Sequence, residues 1–87
     1  MKIQTAYLPN YLPTLSQCDD NYSVEVAILQ RLLVFYGYLN SNAVNGVFGS
    51  DTDNAVRQFQ HDNALYEDGT VGPHTWATLA GIPFENS

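Results

Sequence analysis

The chain has 87 residues, enough for one hydrophobic core and too few for two. Apolar residues make up 45% and aromatics 13%, which excludes a disordered polar tail, and the one cysteine, Cys18, excludes an intrachain disulfide or a cysteine-based zinc site. Three cations (Lys2, Arg31, Arg57) stand against nine carboxylates for a net charge of −6, which excludes the basic patch a nucleic-acid binder needs and disfavours anionic membrane surfaces.

Lys2 is not followed by the apolar run of about 7 or more residues that makes a secretory signal. No stretch approaches the roughly 20 apolar residues of a membrane span. The sequence therefore shows no export signal, and location stays open between the cytoplasm and, by another route, the cell envelope. Residues 1–22 read as an irregular arm rich in Tyr, Leu and Pro, with Tyr-Leu-Pro at 7–9 and again at 11–13. Proline removes a donor and bars regular helix. Residues 23–36 read as a helix with Ser23 as N-cap, Val26, Leu29, Leu33 and Tyr36 on one stripe, and Gly37 as its stop. A second stripe, Ile28, Leu32 and Phe35, widens the apolar arc to about half the circumference. It needs a cover, and residues 7–15 of the arm are expected to fold back on it.

After a loop containing Asn45-Gly46 and Gly49, a second helix is expected over 50–62 with Ala55, Val56 and Phe59 inward. A second loop contains Asp68-Gly69 and Gly72. Pro73 opens a short third helix that carries Trp76 and Leu79 and ends at Gly81-Ile82-Pro83. The domain division is an arm at 1–22, a three-helix domain at 23–82 and a tail at 83–87. The expected core is Val26, Leu29, Leu33, Phe48, Ala55, Val56, Phe59, Val71, Trp76 and Leu79.

The two loops are copies of one pattern. Residues 45–52 and 68–75 share [Asn/Asp]-Gly-x-[apolar]-Gly-x-x-Thr at an offset of 23 residues. Each copy enters a helix. At least one glycine of each pair is expected at positive φ, and the Thr hydroxyls are expected to bond back to the loops. Gln30 and Gln60, each following a core residue, are placed to tie loop backbone groups at a helix flank.

Val26-x-x-Leu29-Gln30-x-x-Leu33, Gly46-x-Phe48-Gly49-x-x-Thr52-x-x-Ala55-Val56-x-x-Phe59-Gln60 and Asp68-Gly69-x-Val71-Gly72-x-x-Thr75-Trp76-x-x-Leu79 together resemble the three-helix peptidoglycan-binding domain found beside bacterial cell-wall hydrolases. The resemblance covers 26–79. It implies an all-α fold, a compact three-helix orthogonal bundle, in a bacterial or phage protein. Ala64, after the second helix, stands where members often have glycine. The resemblance also implies a non-catalytic module whose partner is the peptidoglycan glycan or stem peptide. The alternative is a protein-interaction or regulatory module that reuses the fold.

Candidate ligand contacts are Tyr38, Asn45, Arg57, Asp68 and Trp76. Trp76 at this spacing reads first as core, and Asn45 and Asp68 read first as turn formers. A shallow groove is expected where the two loops approach the end of the first helix, with Tyr38 as its flat apolar surface and Arg57 as its cation. Asp51/Asp53 and Glu67/Asp68 are sequence neighbours, not carboxyls facing each other across a cleft about 5–10 Å wide. His61, His74 and Asp62 lack a metal-ligand spacing. Acidic neighbours raise the Cys18 thiol, the wrong direction for a nucleophile. No enzyme activity, metal or cofactor is expected.

Overall fold

The computed structural model describes residues 12–17 and 22–81. Three α-helices lie within them: α1 (Ser23–Phe35), α2 (Ser50–Asp62) and α3 (Pro73–Leu79). A 3-10 turn, Ser41–Ala43, interrupts the first connection. The only extended pairing among the described residues is an isolated antiparallel bridge between Leu15 and Val71, so the architecture is all-α. None of these helices is long and apolar enough to cross a membrane.

Each helix begins and ends for a local reason. α1 starts with Tyr22, not Ser23, as its N-cap, and no side chain caps it. Ser23 is already helical, and Gly46 passes close to it: a Cβ at Gly46 would sit 3.1 Å from the Ser23 carbonyl oxygen. Glu25 in the first turn complements the helix dipole. α1 stops at Gly37, at φ +88. Tyr38 N–H donates to the Leu33 carbonyl at 2.8 Å and Gly37 N–H to that of Val34 at 3.0 Å, the paired bonds of a Schellman ending. α2 ends the same way, with Leu65 N–H on the Gln60 carbonyl at 2.8 Å and Ala64 N–H on that of His61 at 3.2 Å. Here Ala64 occupies the left-handed position, at φ +59, and is the one non-glycine residue with positive φ among those described. α3 opens on Pro73 at a position that needs no donor.

The core is built as the helical spacing predicts. All ten expected residues are buried, from Val26 through Leu79. Leu15 and Ala77, both fully buried, join them. Tyr36 packs tilted and Tyr38 edge-on against Phe59, at ring centroid distances of 5.6 and 5.5 Å, and the Tyr36 hydroxyl donates to the Leu79 carbonyl at 2.9 Å. These contacts close the end of α1 over α2 and α3.

The described part of the arm, residues 12–15, goes elsewhere than expected. Leu15 exchanges backbone hydrogen bonds with Val71 at 3.1 and 2.8 Å, and the Pro13 carbonyl accepts from the Trp76 indole N–H at 2.8 Å. Residues 12–15 thus lie on the second loop and α3, not on the outer stripe of α1. There Ile28 is 40% and Phe35 78% exposed, while Leu32 is partly buried. The reason is polar. A buried indole N–H and the backbone groups of Val71 need partners, and the carbonyl of Pro13 and the backbone of Leu15 supply them. Residues 7–11 of the expected cover, and the tail at 83–87, lie outside the described residues.

Ala64 generates a prediction. An L-residue in the left-handed region costs about 1–2 kcal/mol, part of which glycine gives back through its larger unfolded-state entropy. Ala64→Gly should stabilise the domain by about 0.5–1 kcal/mol in urea denaturation. Equal or lower stability would show that the strain at Ala64 is no larger than the entropy glycine loses on folding.

Candidate functional site

Gln30 points from α1 into the first loop and is fully buried. Its Oε1 accepts from the backbone N–H groups of Asn45 and Gly46, both at 2.9 Å. Its Nε2 donates to the Val47 carbonyl at 2.9 Å, to Thr52 Oγ1 at 2.9 Å and to Asn45 Oδ1 at 3.2 Å. Gln60 repeats this from α2 into the second loop. Its Oε1 accepts from Gly69 N–H at 3.0 Å, and its Nε2 donates to the Thr70 carbonyl at 3.0 Å, Asp68 Oδ1 at 3.2 Å and Thr75 Oγ1 at 3.3 Å. The Thr hydroxyls therefore meet the loops through the glutamine amides and not directly. Among the described residues no buried side-chain nitrogen or oxygen lacks a partner.

Within each loop the first residue braces itself. Asn45 Oδ1 accepts from Val47 N–H at 2.9 Å, and Asp68 Oδ1 from Thr70 N–H at 3.0 Å. Gly46 and Gly69 take φ +79 and +73, as the turns require, while Gly49 and Gly72 are extended N-caps of α2 and α3. At Gly69 a side chain would also collide, with a Cβ 2.5 Å from Asp53 Oδ1.

Each braced loop frames an open groove. The first, of about 350 Å³, is lined by Asn45, Val47, Gly49 and Thr52 together with Asn40 and Asp51. The second, of about 420 Å³, is lined by the residues 23 positions later, Asp68, Thr70, Gly72 and Thr75, with Leu65 and Tyr66. A third hollow, of about 310 Å³, contains Tyr38 and adjoins the first, sharing Asn40, Ala43 and Asp51 with it.

The residues expected in one shallow groove are therefore divided between hollows. Tyr38 and Asn45 lie on one flank of α2, against Asp51, Asn54 and Gln58. Asp68 lies on another, against Gln60 and Ala64. On α2 the 3.6-residue period turns position 60 away from positions 54 and 58, and Ala64 follows just past the helix end. Arg57 lines none of these grooves. Asp53 holds its guanidinium at 3.0 Å and the Glu67 carbonyl accepts from it at 3.1 Å, so it staples the second loop to α2. Trp76 leaves the candidate set, because it is 1% exposed and its N–H is used by Pro13. Tyr38 is partly exposed, but its hydroxyl donates to Asp62 Oδ2 at 2.7 Å. That bond raises the Tyr38 hydroxyl and lowers the Asp62 carboxyl from their ordinary ranges.

Sequence reasoning missed Tyr66. It sits in the second loop with its side chain 88% exposed, at the rim of the second groove. Its one signal is the repeat itself: position 66 aligns with Ala43 at the 23-residue offset, so the second copy places an aromatic where the first has a methyl. Among the described residues no cluster of three or more His, Cys, Asp or Glu side chains is arranged to hold a metal ion.

Residues 22–79 match the family described as "Putative peptidoglycan binding domain". An uncharacterized protein in the bpoA1 3' region of Kitasatospora aureofaciens is 42% identical over 67 residues, a match that covers 77% of this chain and 55% of that protein. Among solved structures, a peptidoglycan-binding protein from Clostridioides difficile, in complex with glutamine hydroxamate, is similar with a TM-score of 0.70 and 31% identity. That likeness covers 83% of this chain and 46% of the other. The chain spans about half the length of these relatives.

A second staple on the same loop is pH-dependent. His61 Nδ1 lies 2.7 Å from Glu67 Oε2, and this hydrogen bond, then the Glu67 charge, raises the histidine above its ordinary value. A folded value above the unfolded one means that the stabilisation is fully present below about pH 6.5 and fades as pH rises through the raised value. Both side chains are more than half exposed, so the effect on stability is small and screened by salt. In an NMR titration His61 should titrate at a higher pH in the wild type than in Glu67→Gln. Identical midpoints would show that the pair does not form in solution.

Proposed function

The chain belongs to the peptidoglycan-binding domain family, and from that membership we propose that it is a non-catalytic module that docks on bacterial cell-wall peptidoglycan. The observation that carries this reading is the pair of glutamine-braced loops. They lie wholly inside the family match, and each opens to solvent as a preformed groove. A groove whose walls are already hydrogen-bonded loses little conformational entropy when it binds. The solved relative named as a peptidoglycan-binding protein supports the same reading.

The carboxylates support a binding role over hydrolysis. Glycoside cleavage needs two carboxyl groups flanking one bond. Asp53 is tied to Arg57 and Glu67 faces His61. Asp51 lines the first groove and Asp68 the second, so the two do not face a common cleft. A second reading, docking on a protein partner, has its own observation: α1 leaves Val24, Ile28 and Phe35 exposed on its outer side.

Co-sedimentation with insoluble, purified peptidoglycan tests the proposal. The protein is expected in the pellet, and soluble peptidoglycan fragments should release it. Complete recovery in the supernatant would contradict peptidoglycan docking and favour the protein partner.

A further inference from the structure

We propose that the groove rimmed by Tyr66 is a saccharide site that takes the apolar face of an uncharged N-acetylated sugar ring, and not a stem-peptide carboxylate. The inference rests on the peptidoglycan reading above and names the part of the polymer that this groove receives.

The two grooves share one frame and differ in lining. Where the first copy has Ala43, the second has Tyr66, and where the first has Ser50, the second has Pro73. Tyr66 does not belong to the core, and its ring and hydroxyl have no partner among the described residues. An aromatic ring 88% exposed at the edge of a hollow of about 420 Å³ offers a flat apolar surface with a polar tip. The C–H face of a pyranose matches that surface. The hollow also falls in the size range of small-molecule sites, about 300–1,000 Å³. Leu65, partly buried against the core, and Pro73 extend the apolar lining beside the ring.

The polar part of the groove is an acceptor of fixed orientation. Asp68 Oδ1 is held by Thr70 N–H at 3.0 Å and Gln60 Nε2 at 3.2 Å. Its Oδ2 accepts from no described residue and is left for a ligand hydroxyl or amide N–H.

Charge selects between sugar and peptide. Asp68 is the one carboxylate in the lining, and no Lys or Arg contributes. Arg57 is occupied by Asp53 and the Glu67 carbonyl and does not reach the groove. A peptide carboxylate entering here meets Asp68 with no Lys or Arg beside it, inside an acidic chain. A neutral sugar meets no such opposition.

The test uses the whole 87-residue protein, titrated separately with a neutral N-acetylglucosamine trimer and with free stem peptide, and followed by NMR amide shifts. Trimer shifts should centre on residues 65–70 and 73–75. Tyr66→Ala should weaken trimer binding by about ten-fold and Tyr66→Phe by less than about two-fold, with an unchanged melting temperature for both, since the side chain is solvent-exposed. Trimer shifts centred on Tyr38 or Asn45, unchanged affinity in Tyr66→Ala, or shifts from the stem peptide alone would overturn the proposal. If the wild type still sediments with intact peptidoglycan in any of those cases, only the sugar assignment fails. If it does not sediment, the peptidoglycan reading fails with it.

Discussion

The fold depends on two buried primary amides. A glutamine side chain presents an acceptor and donors on one planar group, and both sites need that pairing. Oε1 accepts from two backbone N–H groups at Gln30 and one at Gln60, while in each Nε2 meets a backbone carbonyl and a threonine hydroxyl. Glutamate would set an oxygen against the Val47 or Thr70 carbonyl. Leucine would leave those backbone groups buried and unpaired, at a cost of about 1–3 kcal/mol each. The amide joins three pieces of chain that share no regular structure: a helix, the loop that follows it, and the first turn of the next helix. Loops without strands or helices become walls fixed by side-chain hydrogen bonds.

That device is used twice, and its repetition explains how one small chain carries two unlike grooves. Gln30 reaches a loop 15 residues away and Gln60 a loop 8 away, yet both grip the same pattern. The longer first connection takes up its extra length in the turn at Ser41–Ala43 without disturbing the brace. With the frame fixed by the amides, the residues on the groove walls are free to differ. Ala43 and Tyr66, or Asp51 and His74, occupy matching places with different chemistry. A single open groove of this kind makes few contacts, so attachment to a polymer of repeating sites gains most from several weak engagements at once.

The helices, the core and the paired loops were legible because each follows a local rule: apolar residues at helical spacing, glycine where φ turns positive, and Asn or Asp before it. The buried glutamines were legible for a related reason, since an amide beside a core residue on a helix has loop backbone as its natural partner. What could not be read was long-range and aperiodic. Leu15 reached the core through a backbone bridge to Val71, and Pro13 was drawn to Trp76 by an indole N–H; neither contact has a spacing signature. The arm was assigned to the stripe of Ile28, Leu32 and Phe35 by apolar area, whereas unsatisfied polar groups placed residues 12–15 elsewhere. The site was misjudged by geometry. The repeat alone places Tyr38 and Asp68 in one groove, but the helical period of α2 sets them on different flanks. Tyr66 carries no pattern of its own and stands out only when the two copies of the repeat are set against each other.

Native-state hydrogen exchange at the loop amides tests the central claim most directly. Asn45, Gly46 and Gly69 lie outside helices and strands, and their N–H groups are satisfied by Gln30 and Gln60 alone. If the buried amides hold the loops, these three N–H groups exchange as slowly as the helix core around Leu33 and Phe59, with opening free energies near the global value. Exchange at the rate of free surface loops, while the helices stay protected, would contradict the account.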